Sequence, residues 1–537
     1  MKRSKTLLVL LGKRTKSGAR LLLVFAATAL LLSWSLPVRV QAADGDLDSG
    51  FADGGKLSAD NGRGEAIQAL ALQLDGKIIG VGYMETKKKA EDFAVGRLLS
   101  DGTPDNSFGS EALTGVDFFG GTDVAYSVVI QPDGKIVVAG EAAVPEHSSS
   151  DFALARFNSD GSLDRSFGSD GTVITDFFGK AEHVFGLALQ TDGKIVAVGF
   201  TQGTDQGPIN SDFALARYNP DGSLDASFGT AGKVHTDFNS GSSDIAYATV
   251  IQSDGKIIAA GPVAGNFGLA RYNPDGSLDP SFGYSQNGKV SIDFNGHEDL
   301  AYAMALQSDG KIVVAGYAFN QANTNRDFAL ARFDGNGTLD ASFGVGGRVT
   351  NDFNQGPDVV CGVAIQPDDK IVATGSAWGF AGRDFGLARY NTDGSLDPSF
   401  GAAGKVQTDF FGRDDWAWGM ALTSNGRIVT AGYAIGSENA DFAVACYKAF
   451  SVVPQITGAE VSGKKLYVYG KYFDMGAELL LDGEPQGKTR NDGVTPFTML
   501  IAKKSGKKIA RGESVTIQVR NLDGRLSDGF KYTRPVE

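Results

Sequence analysis

An Asp-Gly-Lys tripeptide starts at Asp75, Asp133, Asp192, Asp254 and Asp309, and returns altered at Asp368-Asp369-Lys370 and Asn425-Gly426-Arg427. Successive copies stand 55 to 62 residues apart. Two more markers keep the same step. DFALAR starts at Asp92, Asp151, Asp212, Asn266 (as NFGLAR), Asp327, Asp384 and Asp441 (as DFAVAC). LDxSFG places Phe51, Phe108, Phe167, Phe228, Phe282, Phe343 and Phe400. A period kept by three markers constrains the fold more than any single residue does. Each unit is one supersecondary element that cannot bury its own apolar face and must stack on its neighbours.

The fifth unit reads as four strands: Gly288–Phe294, Ala301–Gln307, Lys311–Tyr317 and Asp327–Phe333. Asp-Gly between apolar runs marks a two-residue hairpin, whose central residues need positive φ. The strands alternate large with small rather than apolar with polar. Tyr302, Met304 and Leu306 oppose Ala301, Ala303 and Ala305, and Phe328 and Leu330 oppose Ala329 and Ala331. A sheet apolar on both faces must be covered on both, and a large face fits a small one. Neither end of the array carries a polar capping unit, so the stack is expected to close on itself. The expected fold is therefore all-β, a seven-bladed β-propeller of four-stranded blades followed by an Ig-like β-sandwich. The strands at Lys56–Asp60 and Asp441–Lys448 either belong to separate blades or share one.

The period, with LDxSFG, DGKIVVAG and DFALARYNxDGSLD in each unit from about Leu47 to Lys448, resembles the bacterial delta-60 repeat family. The resemblance implies an extracellular propeller-like module and carries no catalytic chemistry. Beyond Lys448 the composition changes. PQIT, LYVYGKYF (466–473) and VRNLDGRLSDGFKY resemble the IPT/TIG family of Ig-like domains, which implies a spacer or interaction module. Lys503, Lys504, Lys507, Lys508 and Arg511 cluster there, and read as a solvated hairpin tip. The domains are expected at 43–448 for the propeller, 449–453 for a linker and 454–537 for the Ig-like domain.

The first 42 residues read as a secretory signal: eight basic residues, no acidic one, an apolar run from Leu21 to about Leu32, and Val40-Gln41-Ala42 as a cleavage site. The alternative is a retained single-span anchor. Cleavage would take the net charge from −13 to −21, since it removes eight positive charges only. So acidic a protein is a poor partner for nucleic acid or an anionic membrane surface. No membrane span is expected after cleavage, and the location is secreted or in the cell envelope. Cys361 and Cys446 take slots held by Tyr or Phe and by Arg in other units, so they read as replacements rather than a designed disulfide.

A residue present in every unit is expected to be structural, because an active site is one asymmetric place. The aspartates Asp117, Asp176, Asp237, Asp293, Asp352 and Asp409, and the arginines Arg97, Arg156, Arg217, Arg271, Arg332 and Arg389, are therefore read as pairing or turn-capping groups. No cofactor, catalytic residue or metal ligand is assigned. Calcium at the inter-blade turns, such as Asn219–Asp225, is the sharper reading of NPDGSLD. Asx-turn chemistry is the plainer one, since Arg217 stands where the first acidic ligand should and no glutamate closes the loop.

The loops on one face vary, and variable loops on a rigid scaffold are where binding sits. Candidate ligand-face residues are Trp378, Phe380, Arg383, His183, His297 and Arg413. Trp416 and Trp418 fall in repeat slots and read as core. The expected function is a non-catalytic binding or scaffolding protein, its partner a glycan or a protein of the cell envelope. The alternatives are a polysaccharide-acting enzyme on the same face, or a structural spacer.

Overall fold

The computed structural model describes residues 44–536, apart from 60–63, 86–89, 146–148, 204–209, 239–240, 437–438, 450–453, 474–476, 492–498 and 522–524. The expected signal segment and most of the expected linker lie outside the described residues. Among those described, no helix is long and apolar enough to cross a membrane. The described residues are all-β, with nine four-stranded antiparallel sheets and a single 3-10 turn, Ser505–Lys507.

Seven sheets come from the repeats. The fifth is ordered Asp299–Leu306, Ile312–Phe319, Arg326–Phe333, Arg348–Asn351. Its outermost strand thus comes from the start of the next unit, through Phe328↔Asn351 pairing. The sequence period and the sheet are one strand out of phase. With that offset, Lys56–Ala59 pairs with Ala440–Lys448 as the outer strand of the seventh sheet, from Lys56↔Ala445 to Ala59↔Phe442. The two terminal strands share one sheet, so covalent continuity is replaced there by a hydrogen-bonded ladder. The innermost strands of consecutive sheets touch in order, and that of the seventh, Asp415–Leu422, returns to that of the first, Glu65–Leu72.

Large-on-small packing joins the sheets. Phe267 and Leu269 share a buried cluster with Ala329 and Ala331, and Phe328 and Leu330 share one with Ala388. The Asp-Gly-Lys hairpin is wider than expected. Ser308-Asp309-Gly310 is a three-residue loop in which glycine alone takes positive φ, at 83°. Gly310 N–H donates to the Gln307 carbonyl, and the Asp309 carboxylate accepts from Lys311 N–H at 3.1 Å. A turn followed by one left-handed residue closes such loops, so a single glycine suffices.

At this edge each unit latches the next. Arg156, buried, donates to Asp164 (2.8 Å), Gln131 (3.3 Å) and Ser166 (3.3 Å), and to the carbonyl of Pro220 in the following unit. Its guanidinium lies 4.6 Å over the Phe167 ring, and Lys135 reaches Asp164 at 2.9 Å. The seventh sheet has Cys446 in the arginine slot. There Arg427, in the lysine slot, takes Asp48 at 2.7 Å and the Ser100 carbonyl at 3.2 Å. Both cysteines are free thiols.

The tail forms two further sheets, Gln455–Ser462 with Lys465–Lys471, Met499–Lys503 and Thr489–Asn491, and Glu484–Pro485 with Glu478–Leu481, Ser514–Arg520 and Phe530–Thr533. Leu466, Val468, Leu479, Leu500, Ile517 and Val519 fill one core. The basic cluster follows Met499–Lys503 through the 3-10 turn, where Lys508 donates to Gln486 at 2.8 Å.

Candidate binding site

Six of the seven innermost strands carry an irregularity. The register skips Gln68, Tyr126, Phe185, Tyr302, Cys361 and Trp418. A bulge leaves its extra residue outside the ladder and re-aims the side chain. In the fourth sheet Tyr247 occupies this position. The re-aimed rings meet one another: Tyr126–Phe185 at 5.0 Å, Phe185–Tyr247 at 4.6 Å and Tyr247–Tyr302 at 4.9 Å between centroids. Trp416 donates to the Cys361 sulfur at 3.2 Å and stacks on Trp418 at 5.2 Å. The centre enclosed by the innermost strands is thus an aromatic cluster, and both tryptophans belong to it.

On the variable-loop edge, side chains that differ from unit to unit converge over this cluster. Glu141 accepts from Tyr126 Oη at 2.9 Å, and its other oxygen is 2.7 Å from His183 Nε2. Ser150 Oγ lies 2.8 Å from the same nitrogen, and the His183 ring sits 4.7 Å from Phe200. Burial would raise Glu141, but the bonds from His183, Tyr126 and Ser150 more than offset it and hold the carboxyl below its ordinary value. Glu91 goes the other way: burial first, then the charges of Glu141 and Glu85, push it up. Elsewhere around the cluster arginines stand beside carboxylates, Arg326 at 3.8 Å from Glu298 and Arg383 at 3.8 Å from Asp414. Arg326 stacks 4.5 Å over Tyr317, whose hydroxyl donates to Glu298 at 2.9 Å. Arg383 stacks 5.2 Å over Trp416.

Of the residues expected on this face, Arg383 also receives Asp414, whose carboxylate accepts its N–H at 2.9 Å, and Arg413 donates to the Gly436 carbonyl at 2.9 Å. Trp378 lines a polar pocket with Asn320, Thr324, Asp327, Asp352 and Gln355. Phe380 is fully exposed. His297 is half-buried on the loop before Asp299, and His183 is tied to Glu141. The six therefore occupy one edge but not one spot. Sequence reasoning missed Glu91, Glu141, Tyr317 and Arg326. For Glu91 and Arg326 the signal was available in the aligned units: the position before the DFALAR aspartate reads Glu91, Ser150, Ser211, Gly265, Arg326, Arg383 and Ala440, while its neighbours repeat.

Carboxylates also gather on this edge. The first residue of DFALAR, the aspartate just after the outer strand and the acid at or before the start of the next sheet form five triads, each with one oxygen per residue within 4.8 Å of the others: Asp92/Asp117/Asp123, Asp151/Asp176/Glu182, Asp212/Asp237/Asp244, Asp327/Asp352/Asp358 and Asp384/Asp409/Asp415. The outer-strand aspartates do cap turns: Asp409 accepts from Gly412 N–H at 2.6 Å and Asp352 from Gln355 N–H at 2.7 Å. They do not pair with the arginines, which take the LDxSFG aspartates on the opposite edge instead. Burial, then crowding by like charges, pushes Asp358 and Asp415 up to about 7. At the NPDGSLD turns the carboxylate oxygens are engaged otherwise. Asp221 accepts from both Ser223 N–H (2.9 Å) and Ser223 Oγ (2.6 Å), and Asp225 is held by Arg217 and Lys194. That is Asx-turn chemistry.

Six stretches, 73–108, 131–167, 190–228, 252–282, 307–343 and 366–400, match the family model described as "Domain of unknown function (DUF5122) beta-propeller". These are β-propeller repeats. No curated protein matches the sequence. Among solved structures, the propeller repeats are similar to the β-propeller domain of the Trilobed protease from Pyrococcus furiosus, with an open velcro topology, at 10% identity over 72% of this chain and 94% of that one (TM-score 0.37). A polysaccharide lyase, Uly1, aligns at 10% identity over 77% and 95% (TM-score 0.40). A fungal alcohol oxidase of the AA5 family, in complex with copper, aligns at 11% over 76% and 96% (TM-score 0.32).

Proposed function

We infer that residues 43–448 form a seven-bladed propeller closed by the Lys56–Ala59 strand, followed after a 449–453 linker by an Ig-like, IPT/TIG-like domain at 454–537, and that the protein binds a ligand outside the cytoplasm. The family is the delta-60 repeat family, and residues 1–42 act as an export signal. The observation that carries the binding reading is the convergence of non-repeating residues over the aromatic cluster, at positions where the rest of each unit repeats. Selection for packing alone gives every blade the same residue there; Glu91, Glu141, Arg326 and Arg383 break that rule on one edge only.

The chemistry fits a carbohydrate. Partly exposed rings such as Trp378 offer flat apolar faces, and the carboxylates and guanidinium groups flanking them offer planar hydrogen bonding to vicinal hydroxyls. A glycan array probed with the full chain should show a confined set of hits. Trp378→Ala and Arg383→Ala should each weaken the best hit at least about tenfold, the loss of about 1.4 kcal/mol. Silence on glycans and in pull-downs from cell-envelope fractions would favour a structural spacer.

One observation favours a second reading, a polysaccharide-acting enzyme. Glu91 and Glu141 are carboxylates that break the repeat, interact through space, and have pKa values pushed apart, as an acid and a base require. Release of reducing ends from a bound polysaccharide, lost in Glu91→Gln with binding retained, would select the enzyme over the binder.

A further inference from the structure

We propose that the carboxylate triads of the variable edge are seats for a hard divalent cation of the calcium class, which cross-links adjacent sheets. The argument is strongest at Asp384, Asp409 and Asp415. These residues come from three elements: Asp384 is the second residue of Arg383–Tyr390, Asp409 follows the outer strand Lys405–Thr408, and Asp415 opens the innermost strand of the next sheet. Their nearest oxygens lie within 4.8 Å of one another. Two ligands on opposite sides of a calcium ion, each at about 2.4 Å, would stand about that far apart.

Asp415 supplies the second observation. Its side chain is fully buried. One oxygen accepts from Phe410 N–H at 2.7 Å, and the other is sealed from solvent with no hydrogen-bond donor among the described residues. The same is true of one carboxylate oxygen of Asp237 and one of Asp327, each in another triad. Buried acceptors are nearly always satisfied, so an orphaned carboxylate oxygen repeated among like charges asks for a cation. All donors in the five triads are carboxylates, without histidine or cysteine, which favours calcium over zinc or copper.

The chain's own cations do not fill this role. Lys56 donates to the Asp409 backbone carbonyl at 3.0 Å and lies 5.2 Å over the Phe410 ring, one ammonium beside three carboxylates. Lys233 and Lys405 take the corresponding carbonyls of Asp176 and Asp352. In the Asp92/Asp117/Asp123 triad the corresponding residue is Thr172, which has no charge to offer.

The test uses the full chain, freed of metal with chelator and titrated with calcium chloride by calorimetry and thermal unfolding at pH 7.5. The expected result is saturable heat with about five equivalents, a rise of several degrees in melting temperature, and a weaker response to magnesium. The double variant Asp384→Asn/Asp415→Asn should bind about one equivalent less. Without calcium it should melt no lower than the parent, because a mutual repulsion has gone. Should the double variant not fold, Asp384→Asn alone carries the same stoichiometric test. No calcium heat, with a melting temperature indifferent to chelator and calcium, would overturn the proposal and leave the triads as proton-sharing acids. Since no glycan enters the assay, its failure is separate from failure of the binding reading.

Discussion

The two edges of the repeat sheets are both rich in aspartate and treat it in opposite ways. On the uniform edge six LDxSFG aspartates each meet an arginine, a lysine and a serine, as Asp164 meets Arg156, Lys135 and Ser166, while Asp48 meets Arg427 alone among the described cations. Burial alone would raise Asp105, Asp164, Asp225, Asp279 and Asp397, but those partners hold all five well below the ordinary carboxylate range. On the variable edge aspartates face one another, and burial first, then the neighbouring carboxylates, pushes Asp123, Asp327, Asp358 and Asp415 up to between about 6 and about 7. One residue type thus serves as a latch on one side and as stored repulsion on the other. The difference lies in whether the neighbouring strand brings a guanidinium or another carboxylate.

The largest break in this contrast comes from the latch. Arg156→Ala leaves buried Asp164 with Lys135 and Ser166 only, and frees the Pro220 carbonyl from its donor. Equilibrium unfolding should register a loss of about 3 kcal/mol.

A pH scan of calcium-free protein sets the edges against each other. The latch aspartates have lowered folded-state values, so their contribution is present above about pH 4 and is lost as pH falls below it. The triad acids have raised values, so the folded state binds more protons than the unfolded chain from about pH 4 up to about pH 7. Their share of stability is therefore fully present below about pH 4 and drains away as pH climbs to about 7. The melting temperature should peak near pH 4 to 5. A flat profile from pH 5 to 8 would remove the stored repulsion.

Asp415→Asn isolates one member of a triad. It keeps an acceptor for Phe410 N–H and removes one charge, so at pH 8 without calcium it should stabilise by about 1 kcal/mol, with little effect at pH 4. The smallest effect belongs to the solvated turns. Ser223→Ala removes an exposed hydroxyl that donates to Asp221 and accepts from Asn219, and should cost about 0.5 kcal/mol or less in the same unfolding assay.

Much of this was legible in the chain itself. A period marked by DGK, DFALAR and LDxSFG dictates repeated four-stranded units, and large/small alternation such as Phe328-Ala329-Leu330-Ala331 dictates packing on both faces, because each sheet must be covered by another. The turn chemistry of Asp221 and Ser223 is equally local. Tertiary structure alone decided three things. It drew the outer strand of each of the first six sheets from the following unit, and that of the seventh, Lys56–Ala59, from the first. It brought Glu91, Glu141, Arg326 and Arg383, scattered over some 290 residues, to one edge over the aromatic cluster. It gave the arginines to LDxSFG aspartates on one edge and left the outer-strand aspartates facing other acids on the opposite one. The reason is the same each time: period and alternation are properties of neighbours along the chain, whereas closure, convergence and charge pairing depend on which sheet edges meet in space.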